Sequence, residues 1–249
     1  ANNQTGYSSF IITNPIPEAC GVTFEHPVML NRSYESNGTC FTINTSGMLL
    51  DCNGYNITGN SSGTGIDILS SDSTIVKCVV GNFSVGIDMN GNDNYAENIS
   101  VSGSGTAVKI EATGNRFVNL IASGSMNGIE LTGAANSSFV HIFIIDSMEY
   151  DIRHTAGSNS TIIFDSLLGK IFLSEDSGSL DMVNTSYASV NITGGFIRTN
   201  NAVDIYLKDV GTSIAVQGAS VKGNMVWLTD SNGYAKIIAT NNTINSTQE

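Results

Sequence analysis

The chain has 249 residues, a formal net charge of −12 and only 13% charged side chains, about half the usual share. That balance excludes a protein built on amphipathic helices, which need charged outer faces, and the lack of any basic cluster makes nucleic acid and anionic membrane surfaces poor partners. No apolar run is long enough for a membrane span, while 26 glycines and abundant Asn, Ser and Thr suit short strands joined by many turns.

In chain order, residues 1–19 read as an extended lead-in, with Tyr7–Thr13 a strand and Asn14-Pro15-Ile16-Pro17 a turn. Residues 20–40 are expected to cap the structure that follows, because an open solenoid end exposes unpaired backbone. Phe41/Ile43 open the first coil, with Met48–Cys52 and Tyr55–Ile57 as its other strands. A hydrophobic pair then returns every 21 residues: Ile66/Ile68, Ile87/Met89, Val108/Ile110, Ile129/Leu131, Tyr150/Ile152 and Ile171/Leu173. Residues two apart share one face of a strand. The period therefore predicts an all-β, right-handed parallel β-helix of three short strands and three turns per coil, each coil about 4.8 Å from the last. Cys78, Ile99 and Leu120 form a second column that slips at His141. Gly65, Gly86 and Gly128, with Ala107 in the same slot, precede the pairs, where a tight corner with positive φ is expected.

The helix with its cap is expected to span 20–200, the later coils being looser and carried by Leu180, Met182, Val183, Val190, Ile192, Phe196 and Ile197. Residues 201–249 change character. Val203–Lys208, Gln217–Val221, Met225–Leu228 and Ala235–Ala239 read as strands around the turn Thr229–Tyr234. This stretch resembles the start of the immunoglobulin-like modules of surface proteins, with Trp227 in its core. It is too short for a seven-strand sandwich, so it either packs on the helix end or takes a strand from elsewhere.

The four cysteines, Cys20, Cys40, Cys52 and Cys78, suit two disulfides in an oxidising compartment. The pairing Cys20–Cys40 and Cys52–Cys78 is expected, the second pair being about one coil apart; buried free thiols are the alternative. Sequons occur at Asn3, Asn31, Asn37, Asn44, Asn56, Asn60, Asn82, Asn98, Asn136, Asn159, Asn184, Asn191, Asn241 and Asn245. Each marks a candidate surface position for N-glycosylation in a secreted protein, although Asn-Ser-Thr turns generate some of these triplets unaided. An N-terminal Ala without a signal peptide fits a mature product whose leader has been removed, or one also trimmed at its C-terminus.

Thr39-Cys-Phe-Thr-Ile43, followed by Leu50-Asp-Cys-Asn-Gly-Tyr-Asn-Ile-Thr-Gly59, resembles the opening of right-handed parallel β-helix proteins of the NosD-like periplasmic and archaeal cell-surface family. Cys20-Gly21 and the repeats Gly65-Ile-Asp-Ile, Gly86-Ile-Asp-Met and Gly128-Ile-Glu-Leu fit the same group. The resemblance covers roughly 20–200 and implies the fold; the group mixes carbohydrate-binding, carbohydrate-cleaving and structural members.

The residues offer little organised chemistry. The polygalacturonase-like motifs are absent, and Arg32, Arg116, Arg153 and Arg198 lack the acidic setting of a pectate-lyase-like site. Asp151, Arg153 and His154 read as a solvated corner. Between the paired hydrophobics, Asp67, Asp88, Lys109, Glu130 and Asp151 are expected to stack outward. Asp67 over Asp88 costs energy unless a cation intervenes, which makes them calcium candidates; a solvated face relieved by Lys109 is the alternative. His26, His141 and His154 are scattered, and no Cys/His/Met cluster supports copper. The expected protein is therefore a secreted, N-glycosylated, non-enzymatic subunit of a surface layer, sheath or filament. Its expected partner is itself, by addition of strand Tyr7–Thr13 to a neighbour's C-terminal module. A polysaccharide-binding or polysaccharide-cleaving β-helix and an adhesion module are the alternatives.

Overall fold

A computed structural model describes residues 17–155 and, beyond them, Ile163 and the strand backbones Thr161–Phe164, Lys170–Leu173, Ser179–Val183, Ser189–Ile192, Phe196–Thr199, Ile205–Lys208, Ser213–Gln217, Val226–Thr229 and Lys236–Thr240. All its regular elements are strands, and all the strand pairs are parallel. They form an 11-stranded first sheet and a 14-stranded second one. The chain is a parallel β-helix that winds from one sheet to the other and back.

The aliphatic pairs line its interior. Ile66, Ile87, Val108 and Ile129 are successive partners in the first sheet, as are Ile68, Met89, Ile110 and Leu131, and all are fully buried. Burial of each such side chain stabilises the fold by about 1.5–3 kcal/mol. The facing interior wall stacks Ile75 under Ala96 and Phe117 under Phe139, the two rings 5.5 Å apart and nearly parallel.

The strict period ends at the fifth pair. Ile129 and Leu131 stand beside Ile152 and His154, not Tyr150 and Ile152, and these in turn stand beside Ile171 and Leu173. The first step is 23 residues and the second 19, so the two departures cancel. That cancellation is why Ile171/Leu173 still falls on the 21-residue grid. One of the two extra residues already precedes the second column, where Leu120 pairs with Ile142, a step of 22, and His141 lies at the bend beside it.

The corners carry a further periodic signal. Asp72, Asp93, Gly114 and Asn136 have positive φ, as do Lys77, Asn98, Asn119 and His141, and Asn82, Gly103, Gly124 and Asp146. Asn, Asp and Gly tolerate this left-handed region best, which explains their abundance here. Gly65, Gly86 and Gly128 are not among the positive-φ residues, contrary to expectation. They are small because a Cβ would crowd both a facing side chain and a neighbouring carbonyl oxygen: Val80 at 2.5 Å and the Gly86 oxygen at 2.6 Å for Gly65, Val101 and, at 2.6 Å, the Ala107 oxygen for Gly86, and Ile144 at 2.6 Å and the Asp151 oxygen at 2.5 Å for Gly128. Where the slot holds Ala107, the register partner of Val101 is Ala122, so the facing residue has shrunk in step.

Val22–Phe24 already pairs with Phe41–Ile43, and Val28–Met29 with Leu49–Asp51, so 20–40 forms the first coil at the N-terminal end of the solenoid. Phe24 and Tyr34 pack their rings on Phe41, and Tyr34 donates a hydrogen bond to the Pro17 carbonyl. Within 201–249, Ile205–Lys208 and Val226–Thr229 extend the first sheet, and Ser213–Gln217 and Lys236–Thr240 the second. Alternation correctly marks strands there, but their partners are solenoid coils, where the sequence reading placed an immunoglobulin-like module. Tyr7–Thr13 lies outside the described residues.

Candidate functional site

The outward positions of the first sheet hold the densest array of charge. Thr42, Asp67, Asp88, Lys109, Glu130 and Arg153 occupy successive register positions there. By register the column continues through Phe172, Asn191, Tyr206 and Trp227. Asp151 does not belong to it. The two-residue slip moves Asp151 into the small-residue slot of Gly128, where it is buried, and puts Arg153 in the outward position. Nor is Asp151–His154 a solvated corner, since Asp151 and His154 are buried, His154 fully, with Leu131 and Leu173 as its register partners. Burial holds its imidazole down at about 4.

Charge alternates along part of the column. Lys109 Nζ bonds Glu111 Oε1 at 2.7 Å, and Arg153 Nη1 bonds Glu130 Oε1 at 3.2 Å. Glu111, Asp88 and Glu130 together hold the lysine above its usual range despite partial burial. Asp67 over Asp88 is the exception, two carboxyls on adjacent strands with Cα atoms about 4.8 Å apart. Asn90 Nδ2 donates to Asp67 Oδ1 at 3.4 Å, while the buried Asp88 Oδ1 has no partner among the described residues. Desolvation pushes Asp88 up to about 6, with Asp67 and Glu111 adding to the rise and Lys109 and an Asn90 hydrogen bond opposing it. Desolvation also raises Asp67, against the Asn90 hydrogen bond.

Among the described residues no group of three or more His, Cys, Asp or Glu is gathered closely enough to hold a metal ion. Asp67 and Asp88 are adjacent carboxyls in the column, and Lys109 is the register neighbour of Asp88 on its other side. The arrangement offers a carboxyl that is half-protonated near pH 6, beside a second carboxyl and an ammonium, which are the ingredients of general acid–base chemistry. The spacing of these residues was legible in the sequence. The raised Asp88 was not, because it depends on the depth of the side chain between strands.

The other expected sites are also located. The disulfides are Cys20–Cys40 and Cys52–Cys78, joining neighbouring coils as expected and fitting an oxidising, extracellular compartment. Asn31, Asn37, Asn44, Asn56, Asn60, Asn82, Asn98 and Asn136 are all exposed. Asn191 lies in a described strand, and Asn3, Asn159, Asn184, Asn241 and Asn245 lie outside the described residues.

No protein-family model matches the chain, and no curated protein matches it. Solved structures do. The enzymatically active domain of bacteriophage CBA120 tailspike protein 2 aligns with a TM-score of 0.52 and 13% identity over 88% of this chain and 39% of its own. The full-length tailspike protein 2 of that Escherichia coli O157:H7 phage aligns equally well over 89% and 35%. An alginate lyase from Paenibacillus sp. str. FPU-7 aligns at a TM-score of 0.44, too low to carry weight. The chain thus has the fold of parallel β-helix proteins and spans about two fifths of the tailspike domain. These likenesses show the fold; the narrower NosD-like resemblance rests on sequence residues alone. The expectation of a non-enzymatic rod is corrected here, because the tailspike domain sharing this solenoid is itself enzymatically active. A regular repeat without familiar motifs is no argument against catalysis on this fold.

Proposed function

We propose that the chain is an extracellular β-helix that binds and cleaves a polysaccharide on the outer face of its first sheet, with Asp88 as the acid–base group. One observation carries the reading: Asp88 is a half-buried carboxyl raised to about 6, set between Asp67 and Lys109 in the outward column of the first sheet. Glycoside cleavage commonly uses paired carboxyls, one of which is kept protonated near neutrality. Asp88 would protonate the leaving oxygen, Asp67 would supply the second carboxyl, and Lys109 would orient an acidic or hydroxyl-rich chain. The test is incubation with a panel of acidic and neutral polysaccharides, following chain length and new reducing or unsaturated ends. Shortening by the native protein, lost in Asp88→Asn and kept in Lys77→Ala on another face, supports the reading; equal shortening by Asp88→Asn overturns it.

A second reading, a glycosylated structural subunit of a surface layer, sheath or filament, is favoured by the exposed sequons. In this reading Val226–Thr229 and Lys236–Thr240, the last described strands of the two sheets, present edges to a second copy. Those edges would receive Tyr7–Thr13 of a second copy. Deleting residues 1–13 would then leave folded protein that fails to polymerise, and normal polymerisation would refute strand addition.

A further inference from the structure

The second sheet bends at Asn98, Asn119 and His141, and the bend leaves a shallow groove of about 290 Å³. Its floor is apolar, which is unusual on so polar a surface. Ser100, Ile121 and Phe143 are successive register partners, and Ile121 and Phe143 are 48% and 44% exposed. Ile145, two residues beyond Phe143, is 46% exposed and extends the patch. Exposed contiguous apolar surface of this kind usually has an occupant.

The groove begins at a sequon. Asn98-Ile99-Ser100 contributes its asparagine and its serine to the lining, and Asn98 is itself exposed. Asn119 Nδ2 donates to Asn98 Oδ1 at 3.0 Å, which fixes the amide. No described residue accepts a hydrogen bond from Asn98 Nδ2, the atom that glycosylation modifies. Ile121 and Phe143 follow at one and two strand spacings, about 4.8 Å each, the scale of successive pyranose rings.

We propose that Asn98 carries an N-linked glycan whose first sugars lie in this groove, their apolar ring faces against Ile121 and Phe143. The linkage forms between Asn98 Nδ2 and the anomeric carbon of an oligosaccharide carried on lipid pyrophosphate. The carbon–oxygen bond to pyrophosphate breaks, the lipid pyrophosphate leaves with the bonding pair, and Nδ2 loses one proton. The glycan then serves as a lid on apolar surface and not only as a solubilising coat. The sequons at Asn37 and Asn60 provide a contrast, because they border a cleft lined by Glu35, Ser36, Thr58 and Gly59 with no large apolar side chain.

The experiment uses the full chain secreted from a eukaryotic glycosylating host, as wild type, Asn98→Gln, Asn60→Gln, Phe143→Ser and the double variant Asn98→Gln with Phe143→Ser, each checked for β structure by circular dichroism. Glycopeptide mass spectrometry reads occupancy, and an environment-sensitive hydrophobic dye reads exposed apolar surface. Occupied Asn98, a dye signal that rises in Asn98→Gln but not in Asn60→Gln, and loss of that rise when Phe143→Ser is added are expected. Unmodified Asn98, whatever the state of the other sequons, overturns the proposal. So does an occupied Asn98 whose removal leaves dye binding unchanged.

Discussion

Replacing His154 with leucine should stabilise the protein and flatten its response to acid. His154 stands in an interior column between Leu131 and Leu173, is fully buried, and has no hydrogen-bond partner for either ring nitrogen among the described residues. An unsatisfied buried polar atom costs about 1–3 kcal/mol, and leucine at this position continues the aliphatic ladder without one. Acid adds a second cost. Burial holds the imidazole down at about 4, so the folded chain refuses a proton that the unfolded chain accepts near the ordinary value of about 6.5. The native state's advantage is thus complete above that value and is lost as the pH falls toward 4. Linkage puts the loss between roughly pH 7.5 and pH 5 at about 2 kcal/mol. Urea unfolding of wild type and His154→Leu at those two pH values measures it. The variant is expected to be the more stable at both, with the gap about 2 kcal/mol wider in acid. A gap that does not change with pH would show that the imidazole titrates freely in the fold and would refute the reasoning.

Asp88→Asn should act in the opposite pH direction. A carboxyl raised to about 6 favours folding below its ordinary value and loses that contribution as the pH rises through 6. The substitution should therefore stabilise by about 1 kcal/mol at pH 7, after allowance for the partial exposure of the site, and by little at pH 4; calorimetric melting at both values decides it. Gly65→Ala should destabilise by about 1–3 kcal/mol through contact with Val80. Adding Val80→Ala should recover part of the loss, as the native Ala107 and Ala122 coil does, and additive losses in the double variant would contradict the packing account. Cys52→Ser with Cys78→Ser opens a loop of 26 residues and should lower stability by about 3.5 kcal/mol; an unchanged denaturant midpoint would show that the crosslink contributes nothing.

The inward ladders were legible because Ile66, Ile87, Val108 and Ile129 repeat without insertion. Tyr150 was misplaced because two single-residue insertions, at separate corners of one coil, are offset by a shorter coil after it, leaving Ile171 where a strict repeat would put it. That one slip also exchanged Asp151 for Arg153 in the outward column and hid His154 in the core. The C-terminal strands were legible as strands from alternation, but alternation does not say whether a partner is parallel or antiparallel, so Ile205–Lys208 and Val226–Thr229 were read as a separate module. The left-handed corners could have been found from Asn, Asp and Gly recurring at the coil period. Asp88 could not, since its raised value follows from neighbours and depth, which no spacing records.

The proposed function requires Asp88 to work as an acid–base group on a glycan. The most direct measurement is the pH dependence of polysaccharide shortening by wild type and Asp88→Asn. It predicts wild-type activity with a limb titrating near 6 and no activity in the variant at any pH, with the β-helix intact. Activity in the variant with the same pH profile, or no shortening of any polysaccharide by folded wild type, would contradict it.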